Sequence, residues 1–219
     1  MILTSDELWA AATNCYVIAP ERGGEAVIVD APPDVDAIAR LLARHDLVPV
    51  ALLVTHGHVD HAGGAGGVVE RTGVTAYVHP DDDYLTSDPV SQLRSIFGFV
   101  PPGAESFAPP EQMVDLTHGQ RLELGGFEFR VRHTPGHTPG HCVFVLEEEG
   151  LVFSGDHLFA GSIGRTDLPG GDFNTLMASM RTEMMTLPDD MRVLPGHGPA
   201  TTIGRERTTN PFLLQYLDA

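Results

Sequence analysis

The chain has 219 residues and a formal net charge of −17, and all 13 of its basic residues are arginine. Without lysine it can form no lysine Schiff base and carry no phosphate-cradling P-loop lysine, and so acidic a chain offers no general basic face to nucleic acid or an anionic membrane. Its length suits one domain with a substantial core, and a hydrophobic content of 42% is that of a globular protein.

Met1–Glu7 carries acids where a secretion signal would carry basic residues, and no apolar run approaches the roughly twenty residues of a membrane span. A cytoplasmic location is therefore expected. Cys15 and Cys142 are too few for a disulfide framework and form no CxxC pair, so both read as small buried hydrophobes.

In chain order, Asn14–Ile18 and Ala26–Asp30 are β-branched runs joined by the turn Pro20–Gly24, a hairpin pattern. Ala37–Arg44 places Ile38, Leu41 and Leu42 on one side of a helix, and Ala51–Thr55 is a buried-type strand that runs into His56. A short helix over Val68–Arg71 closes at Gly73, and a strand follows over Thr75–His79. Ser91–Phe97 has helical spacing, but prolines 101, 102, 109 and 110 mark the remainder of 80–110 as loop. Strand patterns resume at Arg121–Leu124, Phe127–Arg132, Cys142–Leu146 and Leu151–Ser154. A helix is expected over Asn174–Thr186, with Asp172 as its N-cap, and a last strand over Arg192–Leu194. Strands followed by helices in both halves predict helix, sheet, sheet, helix layers, an α+β architecture.

Eleven residues are histidine. Four of the metal-type donors fall within Thr55–His61: His56, His58, Asp60 and His61. On a regular helix His56 and His58 would diverge, so an irregular turn must gather them, with Gly57 supplying the backbone freedom. Neutral imidazole with carboxylate suits Zn²⁺, Mn²⁺ or Fe²⁺, and the lack of thiolate argues against a closed structural zinc. Three more donors stand at strand ends or Gly-rich turns: His137, Asp156 and His197. Seven donors, five His and two Asp, fit two metals sharing one carboxylate.

THGHVDH at 55–61, TPGHTPGH at 134–141, SGDH at 154–157 and PGHGP at 195–199 together resemble the metallo-β-lactamase superfamily, and within it the small glyoxalase II-like hydrolases. The resemblance spans about Asn14 to Phe212. It implies an αββα sandwich with the site at one edge between the sheets; residues 1–219 are expected to form that one domain without a separate C-terminal helical domain, in departure from full-length glyoxalase II. It further implies that His56, His58 and His137 hold one divalent metal, that Asp60, His61 and His197 hold another, and that Asp156 bridges them. Zn²⁺ is the first expectation, with Fe and Mn as alternatives. The implied reaction is attack of a bridging hydroxide on the carbonyl of a small-thiol thioester, with Asp60 as the catalytic group that accepts a proton or orients the nucleophile.

Arg165, in the GRTDLPGG segment, is a candidate for a substrate carboxylate or a clamp paired with Asp167. His141 and His157 are candidates to orient ligands from behind, and His79 for the pocket rim. His45, His118 and His133 read as surface or turn residues, and Phe97, Phe99 and Phe159 as possible entrance aromatics. His61 separates the chain from lactamase subfamilies that use Cys there, so β-lactam hydrolysis is not expected. A glutathione thioester is what the resemblance implies, but the absence of lysine removes contacts that related enzymes use for glutathione, which leaves another small thiol open. Two alternatives share the ligand pattern: a mononuclear iron persulfide dioxygenase using His56, His58 and Asp156 or His137, and a lactonase or esterase.

Overall fold

The computed structural model describes residues 1–98, 100, 104 and 107–216, apart from the side chains of 95–97. Phe99 and prolines 101 and 102 thus fall outside the described residues, as does the side chain of Phe97. Strands β1 (Ile2–Leu8), β2 (Thr13–Ala19), β3 (Glu25–Val29), β4 (Val48–Leu53), β5 (Thr75–Val78) and β6 (Met113–Asp115) form one sheet in sequential order. The β2–β3 hairpin is antiparallel, with Ile18 opposite Val27, as the sequence predicts. From β3 to β6 the strands run parallel, because helices α1 (Val35–Ala43) and α3 (Ala65–Thr72) carry the chain back between them. Asp34 caps α1 by accepting the Ala37 N–H at 3.0 Å.

The second sheet has the order β14-β13-β10-β9-β8-β7. Here β7 (Arg121–Leu124), β8 (Phe127–His133), β9 (Cys142–Leu146) and β10 (Leu151–Gly155) form an antiparallel meander, β13 (Arg192–Pro195) lies parallel to β10, and β14 (Thr201–Thr202) closes the edge. The period of two sorts the side chains into layers. Val17, Ile28 and Leu52 face α1 and α3, while Ile18, Val27, Leu53, Phe129, Phe144 and Phe153 meet between the sheets. Val143, Val145 and Val152 turn outward onto Leu176, Met177, Met180 and Met184. The result is an αββα sandwich. Phe144→Ala, in the middle layer, would cost ~3–5 kcal/mol.

Several elements depart from the sequence pattern. β1 was hidden by its polar residues Thr4, Ser5, Asp6 and Glu7, yet it pairs along all of β2. The helical spacing of Ser91–Phe97 is realised as α5 (Pro89–Phe97), which starts two residues earlier, while the preceding stretch expected to be loop contains a 3-10 turn at Pro80–Asp82 and α4 (Asp83–Thr86). Asp88 and Pro89 open α5 as N-cap and first helical residue, with Asp88 accepting the Ser91 N–H at 3.0 Å. The helix expected to reach Thr186 is α6 (Phe173–Ser179), capped by Asp172 as predicted, followed by a wider turn at Met180–Met184. A hairpin of β11 (Leu158–Phe159) and β12 (Ser162–Ile163), then α7 (Ile203–Thr209) and α8 (Pro211–Tyr216), complete the described chain. No helix among the described residues is long and apolar enough to cross a membrane. Cys15 and Cys142 are fully buried, and burial pushes both thiols up, away from the reactive thiolate.

Candidate metal centre

The parallel strands β3 and β4 end side by side at Val29 and Leu53, just before Asp30 and Thr55, and β10 of the other sheet ends at Gly155; the seven predicted donors gather beyond these ends. His56 and His58 follow β4, His58 in extended conformation as the N-cap, and the single turn α2 (Val59–Ala62) then presents Asp60 and His61. His56 Nε2, His58 Nδ1 and His137 Nε2 form a triangle with sides of 2.9–3.1 Å. Asp60 Oδ2, His61 Nε2 and His197 Nε2 form a second, with sides of 3.2–3.4 Å. Asp156 lies between them, Oδ1 3.2 Å from His61 Nε2 and Oδ2 3.6 Å from His137 Nε2 and 3.5 Å from His197 Nε2.

The hydrogen-bond partners define which ring nitrogens carry lone pairs. His61 Nδ1–H donates to Asp30 Oδ2 at 2.8 Å, His137 Nδ1–H to the Arg165 carbonyl at 2.8 Å, and His56 Nδ1–H to Thr55 Oγ1 at 3.0 Å. The opposite nitrogen of each neutral ring therefore points an acceptor into the centre. Asp156 Oδ1 is buried there with no donor. Acceptors facing one another at such distances are reconciled by a cation or, in the second triangle, by protons on the rings, and zinc–imidazole bonds of about 2.0–2.1 Å put neighbouring ligands of a tetrahedral ion ~3.3 Å apart. Both triangles suit a divalent ion, with Asp156 able to serve both.

The electrostatics divide accordingly. Burial, reinforced by His137, depresses His58 to about 3, and burial with His61 and His137 beside it depresses His56 strongly, so these rings are neutral at pH 7. Burial works to raise Asp60 and Asp156, but His61 and its neighbouring imidazoles outweigh it and hold both carboxyls below their ordinary range. Burial likewise opposes a charge on His61 and His197, yet Asp156, Asp60 and Asp30 raise His61, and Asp60 and Asp156 raise His197. In the protein without ions, protons on these two rings offset the carboxylates; metal binding would displace them.

The buried residues that hold these ligands in place have, Asp30 apart, no signature in the local sequence. Asp30, at a left-handed φ of 62°, accepts the Thr55 N–H at 2.7 Å and the Thr55 hydroxyl at 2.9–3.0 Å besides His61. It thereby orients His61 directly and His56 through Thr55. Asp82 accepts Gly57 N–H, the Thr138 hydroxyl and Gly140 N–H at 2.7–2.8 Å, tying the loop of His58 to the loop of His137. Gln92 accepts Val59 N–H and donates to the Gly57 carbonyl. An acidic residue ending an apolar strand was the one available signal for Asp30. Gly57 is needed for close approach rather than backbone freedom: a Cβ there would lie 2.7 Å from Leu85 Cβ. At Gly196 a Cβ would meet Asp156 Oδ1 at 2.2 Å.

Arg165 forms a two-pronged pair with Asp167, Nε–Oδ1 2.8 Å and Nη2–Oδ2 2.7 Å, both side chains more than half exposed. Arg165 nevertheless lines the cleft, together with Ala11, Leu168 and five of the seven donors. His141 is behind the centre: Thr134 Oγ1 is 2.8 Å from its Nδ1, and its Nε2 accepts Asp156 N–H at 3.1 Å. His157, expected to orient ligands, is buried but has no hydrogen-bond partner on either ring nitrogen. The Phe159 ring lies 6.1 Å from that of His197. His79 does not border the cleft; it stacks on His133, which ends β8 half-buried rather than in a turn.

An αββα sandwich with histidine and aspartate triads at the strand ends defines a metal-binding class of protein, and the chain belongs to the metallo-beta-lactamase superfamily, whose profile it matches over residues 8–197. It is 38% identical over 200 residues to the hydroxyacylglutathione hydrolase GloC of Haemophilus influenzae, covering 91% of this chain and 92% of that one. Among solved structures it resembles the B3 metallo-beta-lactamase BLEG-1, with a TM-score of 0.86 and 38% identity over 97% of this chain and 99% of that one. It also resembles TTHA1623 in a di-iron-bound form, with a TM-score of 0.84 and 39% identity over 97% and 100% of the two chains.

Proposed function

We propose that the protein is a metal-dependent hydrolase of the glyoxalase II type, cleaving the thioester of a small thiol. The observation that carries this reading is the pair of donor triangles joined by Asp156. Its likeness to GloC over most of both chains supports the substrate class. Two divalent ions held there, zinc, iron or manganese, would supply hydroxide at neutral pH and polarise the thioester carbonyl.

The protein's own groups complete the chemistry. Asp60, one-fifth exposed and receiving the Thr13 hydroxyl at 2.9 Å, is the carboxylate that can take or hold the water proton at the rim. Buried His56, His58, His137 and Asp156 exclude solvent from the floor. The cleft is about 220 Å³, below the roughly 300–1,000 Å³ of pockets that enclose small ligands, so it suits the acyl carbonyl while the thiol carrier lies across the mouth. There Arg165, released from Asp167, can pair with a carrier carboxylate.

Metal-reconstituted protein should release thiol from a hydroxyacylglutathione or from the thioester of another small thiol, with two ions per chain and no oxygen uptake. The BLEG-1 likeness brings β-lactam hydrolysis back as a competing outcome, which the lack of a cysteine ligand does not remove. Opening of a chromogenic β-lactam without thioester cleavage would overturn the reading. So would one iron per chain with oxygen consumed on a persulfide.

A further inference from the structure

A second histidine cluster lies outside the cleft. His79, just after β5, and His133, the last residue of β8, come from different sheets and stack with ring centroids 4.0 Å apart and planes 10° from parallel. Asp81 Oδ2 is 3.7 Å from His79 Nδ1, and one potential ligand atom from each of His79, Asp81 and His133 lies within 4.8 Å of the others.

Hydrogen bonds set which nitrogen of each ring could face an ion. His133 Nε2–H donates to the Pro139 carbonyl at 2.7 Å, which leaves its Nδ1 with a lone pair. The same device orients His137 through the Arg165 carbonyl. The His133 backbone is also held, its N–H donating to His118 Nδ1 at 3.2 Å. His79 Nδ1 accepts only a long 3.3 Å bond from Asp81 N–H, so its lone pair is weakly committed. Burial, with His133 beside it, lowers the His79 pKa, favouring the neutral ring; Asp81, Asp82 and Asp115 oppose that and add negative potential.

We propose that His79, Asp81 and His133 form a separate site for a transition-metal ion of the zinc class, bridging the two sheets beside the main centre. Two imidazoles and a carboxylate leave further positions to water, a set suited to Zn²⁺, Ni²⁺ or Cu²⁺. Lone pairs lie in the ring planes, so the parallel rings must splay to share an ion. His79 is the ring that turns, because His133 is pinned by Pro139. The two histidines are 54 positions apart and from different sheets, so the site exists only in the folded chain and an ion there adds stability. The inference is independent of the hydrolase reading.

The test is zinc bound at equilibrium, by dialysis against micromolar free zinc and elemental analysis, in the intact chain and in the His79→Gln, His133→Gln and Asp81→Asn variants. The wild type should hold one ion per chain more than either histidine variant. Asp81→Asn, on an exposed side chain, should shift the zinc midpoint of that ion at least about tenfold, and it guards against a histidine variant that fails to fold. The difference rather than the total is read, so the occupancy of the main centre does not enter. Equal zinc content and equal midpoints in all four proteins overturn the proposal.

Discussion

The two halves of the centre are built differently. His56, His58 and His137 are 1–5% exposed and their nitrogens lie 2.9–3.1 Å apart, inside loops clamped by Asp82 and Gln92. The Asp60–His61–His197 half is looser, at 3.2–3.4 Å, and two of its side chains reach solvent, His197 at 31% and Asp60 at 20%. Its supports are Thr13 on Asp60, Asp30 on His61, and Asn14, whose side chain donates to the carbonyls of Pro195 and Gly198 on either side of His197. An ion in the buried half would be retained more tightly than one in the open half, because an ion loses ligands most readily where water can replace them.

Asp156 joins the halves, so its removal should have the largest effect. Asp156→Ala should lower kcat about 10³-fold or more, the loss of several kcal/mol of electrostatic stabilisation, while the circular dichroism spectrum stays native. Near-normal turnover would break the shared-carboxylate assignment. The next contrast is between single-histidine variants. His197→Ala should retain one tightly held ion that resists a mild chelator, whereas His58→Ala should lose that resistant ion; identical chelation kinetics in the two variants would erase the distinction drawn here.

Acid should discriminate the halves in the metal-free protein. His58 is depressed to about 3 and His56 is depressed too, so between an ordinary pKa near 6.5 and about 3 the unfolded chain binds more protons. Stability should therefore fall with pH across that window, and the depressed Asp60 and Asp156 add losses of the same sign as pH falls further. The raised His61 and His197 act oppositely, their contribution being full at low pH and lost as pH rises through their folded values. A thermal melt flat from pH 7 to 4 would contradict the buried, neutral state of the tight half. Asp30→Asn should weaken metal affinity about 10–100-fold by loosening His61 and, through Thr55, His56. Arg165→Ala, at an exposed pair, should have the smallest effect: a KM several-fold higher with kcat little changed if it binds substrate, or a lower Tm with unchanged KM if it only clamps the loop.

What could be read in advance follows the range of the interactions. All seven donors lie in short motifs at strand ends, where buried runs stop and polar residues begin, and the hydrophobic period marked most of the sandwich strands. Asp30, Asp82 and Gln92 escaped because their bonds reach 25 to 58 positions along the chain. The Asp88-Pro89 pair was read as loop because the residues that open helices also make turns. β1 escaped because its exposed, polar residues gave no apolar alternation.

The sequence by itself determined the donor types, the lack of lysine and the αββα layering, since each depends on residue identity or on a local period of two or near four. Only the tertiary structure decided that His58 presents Nδ1 while His56 and His61 present Nε2, that one half is sealed and the other open, and that His79 meets His133. Those outcomes depend on which distant carbonyl, carboxylate or ring lies across from each histidine, and the packing of the two sheets sets that geometry.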